Sequence, residues 1–340
     1  MRRKKRLAFI FSLSFGLVGP GGLHAHEVDH FSNYAASASL MDSREQLNRS
    51  INERMTQVLE KLPSECDEKR LYRMLKKQFT SGFKLKGWTR KEIVLNDKLD
   101  KLSYPLEGSI YENYIPIKFI RIIGAPTLLI QPLLSRIFRI GDVYLGTDKI
   151  GHFFTFGFKS FKTHYLKNKP LRKAFLLSWK SENSFFGART TRIISYGDLL
   201  ANFNGMRFWN HILQKEDDLL GENLGPYIDC QDNRWVQVKS IDWGDYIDHG
   251  FDESINCSRF KKEKNKIKIQ TNIKKVLKKQ NLDFKSLCPL IDEGRVTSEH
   301  LLELEEKYGD FAPYVLNFYG HSSLKDELKN SLHPSPFLMD

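Results

Sequence analysis

Long apolar runs are the first thing this 340-residue chain lacks. The segment Leu7 to Val18 is shorter than the ~20 residues a spanning helix needs. The most apolar internal stretch, Ile115 to Ile140, is broken by Lys118, Arg121, Pro126, Pro132 and Arg136. Proline removes a helical hydrogen bond and clashes with the turn before it, so a membrane-spanning bundle is not expected. That stretch is read instead as a buried segment covering the central helices, the alternative being a basic, apolar membrane-surface element. Cysteine is scarce: Cys66, Cys230, Cys257 and Cys288 are the full set, and none form the close pairs of a zinc site. No internal repeat appears. No zinc-finger spacing or aromatic RNA-binding signature accompanies the formal charge of +12, so nucleic acid is not an expected partner. The acidic stretch Ile241 to Cys257 lacks the alternating oxygens and fixed glycine of an EF-hand loop.

What is present points outside the cytoplasm. Arg2 to Arg6 are all basic, Leu7 to Val18 is apolar, and Pro20-Gly21-Gly22 leads to the small residue Ala25. This is the pattern of a signal peptide over residues 1–25. No cysteine follows that would carry a lipid. An even cysteine count in an exported chain implies disulfides. Cys230 with Cys257 is the expected pair, because both flank one compact acidic-aromatic segment, leaving Cys66 with Cys288. The basic balance favours an anionic membrane surface or a cell-wall glycan as partner.

Residues 26–41 read as a flexible N-terminal segment in which His26, Glu27, Asp29 and His30 cluster by chance. Helical periodicity then dominates. Leu47, Ile51, Met55, Val58 and Leu59 share one face, and so do Leu71, Met74, Leu75 and Phe79. Further helices are expected over 148–165, 170–186, from Ser195 onward, within the lysine-rich stretch 260–282, and over 296–308. The fold class is mainly α: a single large helical domain over residues 42–320, with an irregular, turn-rich, disulfide-capable C-terminal part and a tail at 321–340. Asp245, Asp248, His249 and Asp252 are expected on a solvated helix face.

The centre of the chain is Gly146 to Trp209. Its ends carry Asp148 with His152 and Asp198 with Asn202, each pair four residues apart and so on one helix face. Glu182 lies between, with Arg189 and Arg192 after it. Asp148, His152, Asp198 and Asn202 are candidate ligands of a divalent metal such as Mn, Zn or Mg. Without a metal, Glu182 is a candidate general acid and Asp198 its charged partner. The alternative is a buried polar network in which Asp148 pairs with Lys149 or Arg192, with Gly151 and Gly205 allowing close helix approach.

The set Asp148-Lys149-x-x-His152-Phe153, then Glu182 and an arginine stretch, then Ser195-x-x-Asp198-x-x-Ala201-Asn202-x-x-Gly205 resembles the motif set of VanZ-like proteins, over about sixty residues. The remainder, with its leader, its four cysteines and Trp243-x-Asp245-Tyr246, resembles a family of exported proteins from Gram-negative bacteria. The resemblance implies a compartment, not a reaction. The expected function is that of an exported cell-envelope protein, periplasmic or envelope-associated, with a structural polar core. A peptidoglycan-type hydrolase using Glu182 and Asp198, with or without metal, and a peripheral membrane-surface protein are the alternatives.

Overall fold

The computed structural model describes residues 28–80, 87–114, 134–183, 192–282, 288, 290 and 298–318. The expected leader, residues 115–133 of the apolar stretch, Arg189 and the tail lie outside these. The mainly α architecture is as expected. Helices α1 (His30–Ser37), α2 (Arg44–Leu59) and α3 (Glu68–Phe79) precede α4 (Thr147–Phe161), which continues as a π-helical turn over Lys162–Leu166. Then come α5 (Leu171–Glu182), α6 (Tyr196–His211), α7 (Glu263–Lys279), α8 (Glu299–Tyr308) and the short α9 (Ala312–Val315). Among the described residues, no helix is long and apolar enough to cross a membrane.

Every residue of α6 is buried. A helix without a solvated face needs neighbours on all sides, and α4 is the most intimate. A Cβ on Gly157 of α4 would stand 2.6 Å from the Gly205 Cα of α6, and one on Gly205 would overlap the Phe153 backbone. The two backbones therefore touch. Gly205 serves the close approach as expected, and its partner there is Gly157. Around this seam Phe79 stacks on Phe154 and Trp88 on Trp243, with centroids 5.2 and 5.9 Å apart.

The strands are short. β1 (Ile137–Ile140) and β2 (Val143–Gly146) form an antiparallel hairpin whose end launches α4. β3 (Ile193–Ile194), just before α6, pairs with β6 (Arg259–Phe260). β4 (Ile228–Gln231) and β5 (Arg234–Gln237) make a second hairpin.

Three expectations are corrected. The N-terminal segment is not loose from Val28 on: α1 packs Phe31 against a small core with Ile269 and Ile273 of α7. Asp29 caps it by accepting from Ser32 N at 2.8 Å, and its other oxygen accepts from Ile110 N at 3.0 Å. Second, Ile241 to Cys257 is no solvated helix. Asp242 and Asp248 accept from the amides of Gly244 and Gly250 (2.9 and 3.0 Å), two residues on. Such local bonds compete with the helix and leave two 3-10 turns, Trp243–Asp245 and His249–Phe251. Asp252 and Glu253 are buried. Third, the disulfides are Cys66–Cys230 and Cys257–Cys288, with Cα atoms 6.0 and 6.1 Å apart. The tip of the β4–β5 hairpin meets the α2–α3 turn, where Asn233 Nδ2 donates to Ser64 O at 3.0 Å, and this carries Cys230 to Cys66.

Candidate functional site: a two-sided polar seam

The first half of the site is centred on Lys149, in the first turn of α4. Its side chain is completely buried, and its ammonium donates to Asp148 Oδ2 (2.8 Å), Asp198 Oδ1 (2.8 Å) and Glu253 Oε1 (2.6 Å). Ser195 Oγ lies 3.4 Å from the same ammonium and donates to Glu253 Oε1 at 2.7 Å. Local sequence sets each position. Gly146 ends β2 in an extended conformation and starts α4. Ser195 caps α6 by accepting from Asp198 N at 3.0 Å, which fixes Asp198 in the first turn, where the helix dipole favours a carboxylate. Ser135 Oγ donates to Asp148 Oδ1 at 2.7 Å.

Three carboxylates around one ammonium leave an excess of negative charge in a dry environment, and the titration behaviour reflects it. Burial pushes the Glu253 carboxyl up and Lys149 pulls it back only in part, with Asp198 and Asp148 adding to the rise. Burial also acts to raise Asp148, but Lys149 and the Ser135 bond overcome it, so that carboxyl sits below its ordinary value. Burial alone would lower Lys149; its three acidic neighbours outweigh that and hold it well above its ordinary range. The ammonium is a fixed positive charge here.

The second half lies one turn further along α4. His152 Nε2 is 3.4 Å from Asp198 Oδ2. Its Nδ1 is 3.3 Å from Asn202 Oδ1 and 3.6 Å from Glu182 Oε1. Asp198 thus belongs to both halves, one oxygen on Lys149 and the other toward His152. One ligand atom each from His152, Glu182 and Asp198 lie within 4.8 Å of one another. His152 is the opening to solvent: its side chain is 18% exposed, against 6% for Glu182 and 10% for Asp198.

Of the residues singled out from sequence, His152, Glu182, Asp198 and Asn202 converge, whereas Asp148 is turned to Ser135 and Lys149. Arg192, at φ +68°, precedes β3, and its carbonyl accepts from Lys261 N at 3.0 Å. Two contributors were missed. Lys149 was noted only as one possible partner of Asp148; Lys159 of the same helix is exposed, so a lysine there does not by itself signal a buried charge. Glu253 carries no signal either, since it sits among many acidic residues. A second buried network was also missed. Arg207 of α6 is held by both oxygens of Asp218, the closest contact being 2.6 Å, and His211 Nδ1 bonds Tyr246 OH at 2.8 Å.

Comparison with known proteins adds no relative: no protein-family profile, no curated protein and no solved structure matches this chain.

Proposed function

We propose that the chain is an exported cell-envelope protein, akin to VanZ-like proteins in its α4–α6 motif, whose polar seam is a structural lock between two buried helices. One observation carries this: Lys149, completely buried, takes Asp148, Asp198 and Glu253 as direct partners from three separate parts of the chain. Removing one member of such a cluster strands the others in low dielectric, so the set specifies how α4, α6 and the 253 turn fit together. The described surface hollow lined by His164, Tyr165, Lys169 and Glu216 shares no residue with it. Export is supported by the leader pattern and by two disulfides, which persist in oxidising compartments. An anionic membrane surface or a cell-wall glycan is the partner class that fits the basic balance.

A second reading has its own observation. Glu182 and Asp198 flank the half-open His152, an arrangement able to move protons in hydrolysis of a peptidoglycan-type polymer. One preparation separates the two. Protein recovered from a periplasmic extract of the producing cell should begin near residue 26, and peptide mapping should find Cys66 joined to Cys230. Incubated with purified cell wall, it should release no soluble fragments. Cytoplasmic retention contradicts the export proposal. Release of fragments that stops in a folded Glu182→Gln variant replaces the structural reading with the hydrolase.

A further inference from the structure

We infer that the outer half of the seam is a binding site for one divalent transition-metal ion, Zn2+ or Mn2+, held by His152, Glu182, Asp198 and Asn202. The proposal goes beyond the structural lock and does not depend on it, because Lys149 occupies the other oxygen of Asp198.

The ligand chemistry comes first. One imidazole nitrogen, two carboxylates and an amide oxygen make a mixed nitrogen–oxygen set, suited to Zn2+ or Mn2+ and poorly suited to softer ions that prefer thiolate. Geometry agrees. Ligand atoms placed tetrahedrally at ~2.1 Å from a metal stand ~3.4 Å from each other. Glu182 Oε1 and Asn202 Oδ1 stand 3.6 and 3.3 Å from His152 Nδ1, and Asp198 Oδ2 stands 3.4 Å from Nε2; because an ion takes only one ring nitrogen, Asp198 joins the set through the looser grouping in which one ligand atom each of His152, Glu182 and Asp198 lie within 4.8 Å of one another. The three spacings from His152 are longer than the charge-assisted bonds around Lys149, at 2.6–2.8 Å, as expected of groups that surround an ion in preference to bonding each other.

Hydrogen counting gives the same answer. A neutral imidazole has one N–H and one lone pair. His152 faces a carboxylate oxygen from each nitrogen, Asp198 Oδ2 from Nε2 and Glu182 Oε1 from Nδ1, so in the neutral form one nitrogen lone pair is set against an oxygen lone pair whichever way Asn202 is turned. A cation between them converts that opposition into coordination. Asn202 supplies an independent observation. It is fully buried, its Oδ1 is directed at His152, and its Nδ2 has no hydrogen-bond partner among the described residues. Oxygen and nitrogen of an amide are interchangeable by a flip, yet either orientation leaves one polar atom unmatched against protein alone. An unsatisfied buried amide is costly; ligation through the oxygen gives its placement a purpose. His152, partly exposed, provides the entry.

The test is calorimetric titration of chelator-stripped full-length protein with Zn2+ and, separately, with Mn2+. The expected result is saturable binding of one equivalent of at least one of the two ions. His152→Gln and Glu182→Gln should each weaken it by more than the 10–100-fold that loss of an outer partner costs. The pair His249→Ala with His300→Ala, which removes a stacked surface histidine pair, should leave it unchanged. X-ray absorption of the wild-type zinc complex keeps the proposal falsifiable should a variant not fold: one imidazole with oxygen ligands at about 2.0–2.2 Å is expected. Absence of saturable binding by both ions, undiminished binding in the folded variants, or a spectrum with sulfur or several imidazoles would overturn the site. Each outcome leaves the stability of metal-free Lys149 variants, and so the structural lock, to be judged separately.

Discussion

Asp198 shows how much can depend on one carboxylate: Oδ1 fixes a buried ammonium and Oδ2 faces an imidazole. Asp218 is the plainer case and the better one for a pH experiment, since it lies in the second network, away from the seam. Burial acts to raise it, but the His211 imidazole, its Nε2 3.4 Å away, and the bonds from Arg207 hold it down to about 2. An unfolded aspartate titrates near 3.9. The folded value is depressed, so its contribution, about 2 kcal/mol, is fully present above pH ~4 and is lost as pH falls through about 2. Urea unfolding from pH 5 to pH 2 should show this loss in the wild type. In Asp218→Asn the loss should be smaller by about 2 kcal/mol, the other depressed carboxylates such as Asp148 and Asp242 still contributing theirs, and at pH 7 that variant should be less stable by about 3–5 kcal/mol, because Arg207 is left buried and unpaired. At this scale the sequence was informative where spacing speaks. The i, i+4 pairs placed His152, Asp198 and Asn202 together because a helix face is a local property. It was silent where partners are distant: Glu253 reaches Lys149 across 104 residues, and Arg207–Asp218 depends on how the chain turns after α6.

Helices were the most legible elements, because apolar spacing and caps are written locally. Asp67 caps α3 by accepting from Arg70 N at 3.1 Å, and Ser298 caps α8. The acidic stretch misled because its aspartates bond their own backbone two residues on, a choice that apolar periodicity does not reveal. The α4–α6 contact follows from two small residues. Gly205→Ala places a methyl group against the Phe153 backbone, which cannot swing away as a side chain would. We expect a cost of about 3 kcal/mol in denaturant unfolding, at the upper end for overpacking. Gly141→Ala is the comparison. It sits in the β1–β2 turn at φ +61° with nothing among the described residues within 4 Å of an added Cβ, so the left-handed backbone penalty of about 1 kcal/mol is what is expected. Equal costs at the two positions would mean that the helices are not in backbone contact.

Across the whole molecule, the elements are tied by a small number of long-range links. Cys66–Cys230 joins positions 164 residues apart, and the N-terminal α1 is held by His30 on Asp252 at 2.8 Å. The wrong cysteine pairing expected from sequence has the same origin as the missed Glu253: proximity along the chain was used where the direction of a hairpin decides. The lock at Lys149 is the densest of these links, joining the start of α4, the start of α6 and the turn before β6. Its contribution is read most directly from the unfolding free energy of metal-free Lys149→Met against wild type at pH 7. Methionine keeps the unbranched stem of the side chain but lacks the terminal ammonium, leaving Asp148, Asp198 and Glu253 without their common cation. A loss of about 3–5 kcal/mol is the predicted result; a variant as stable as the wild type would contradict the claim that this buried ammonium holds the seam together.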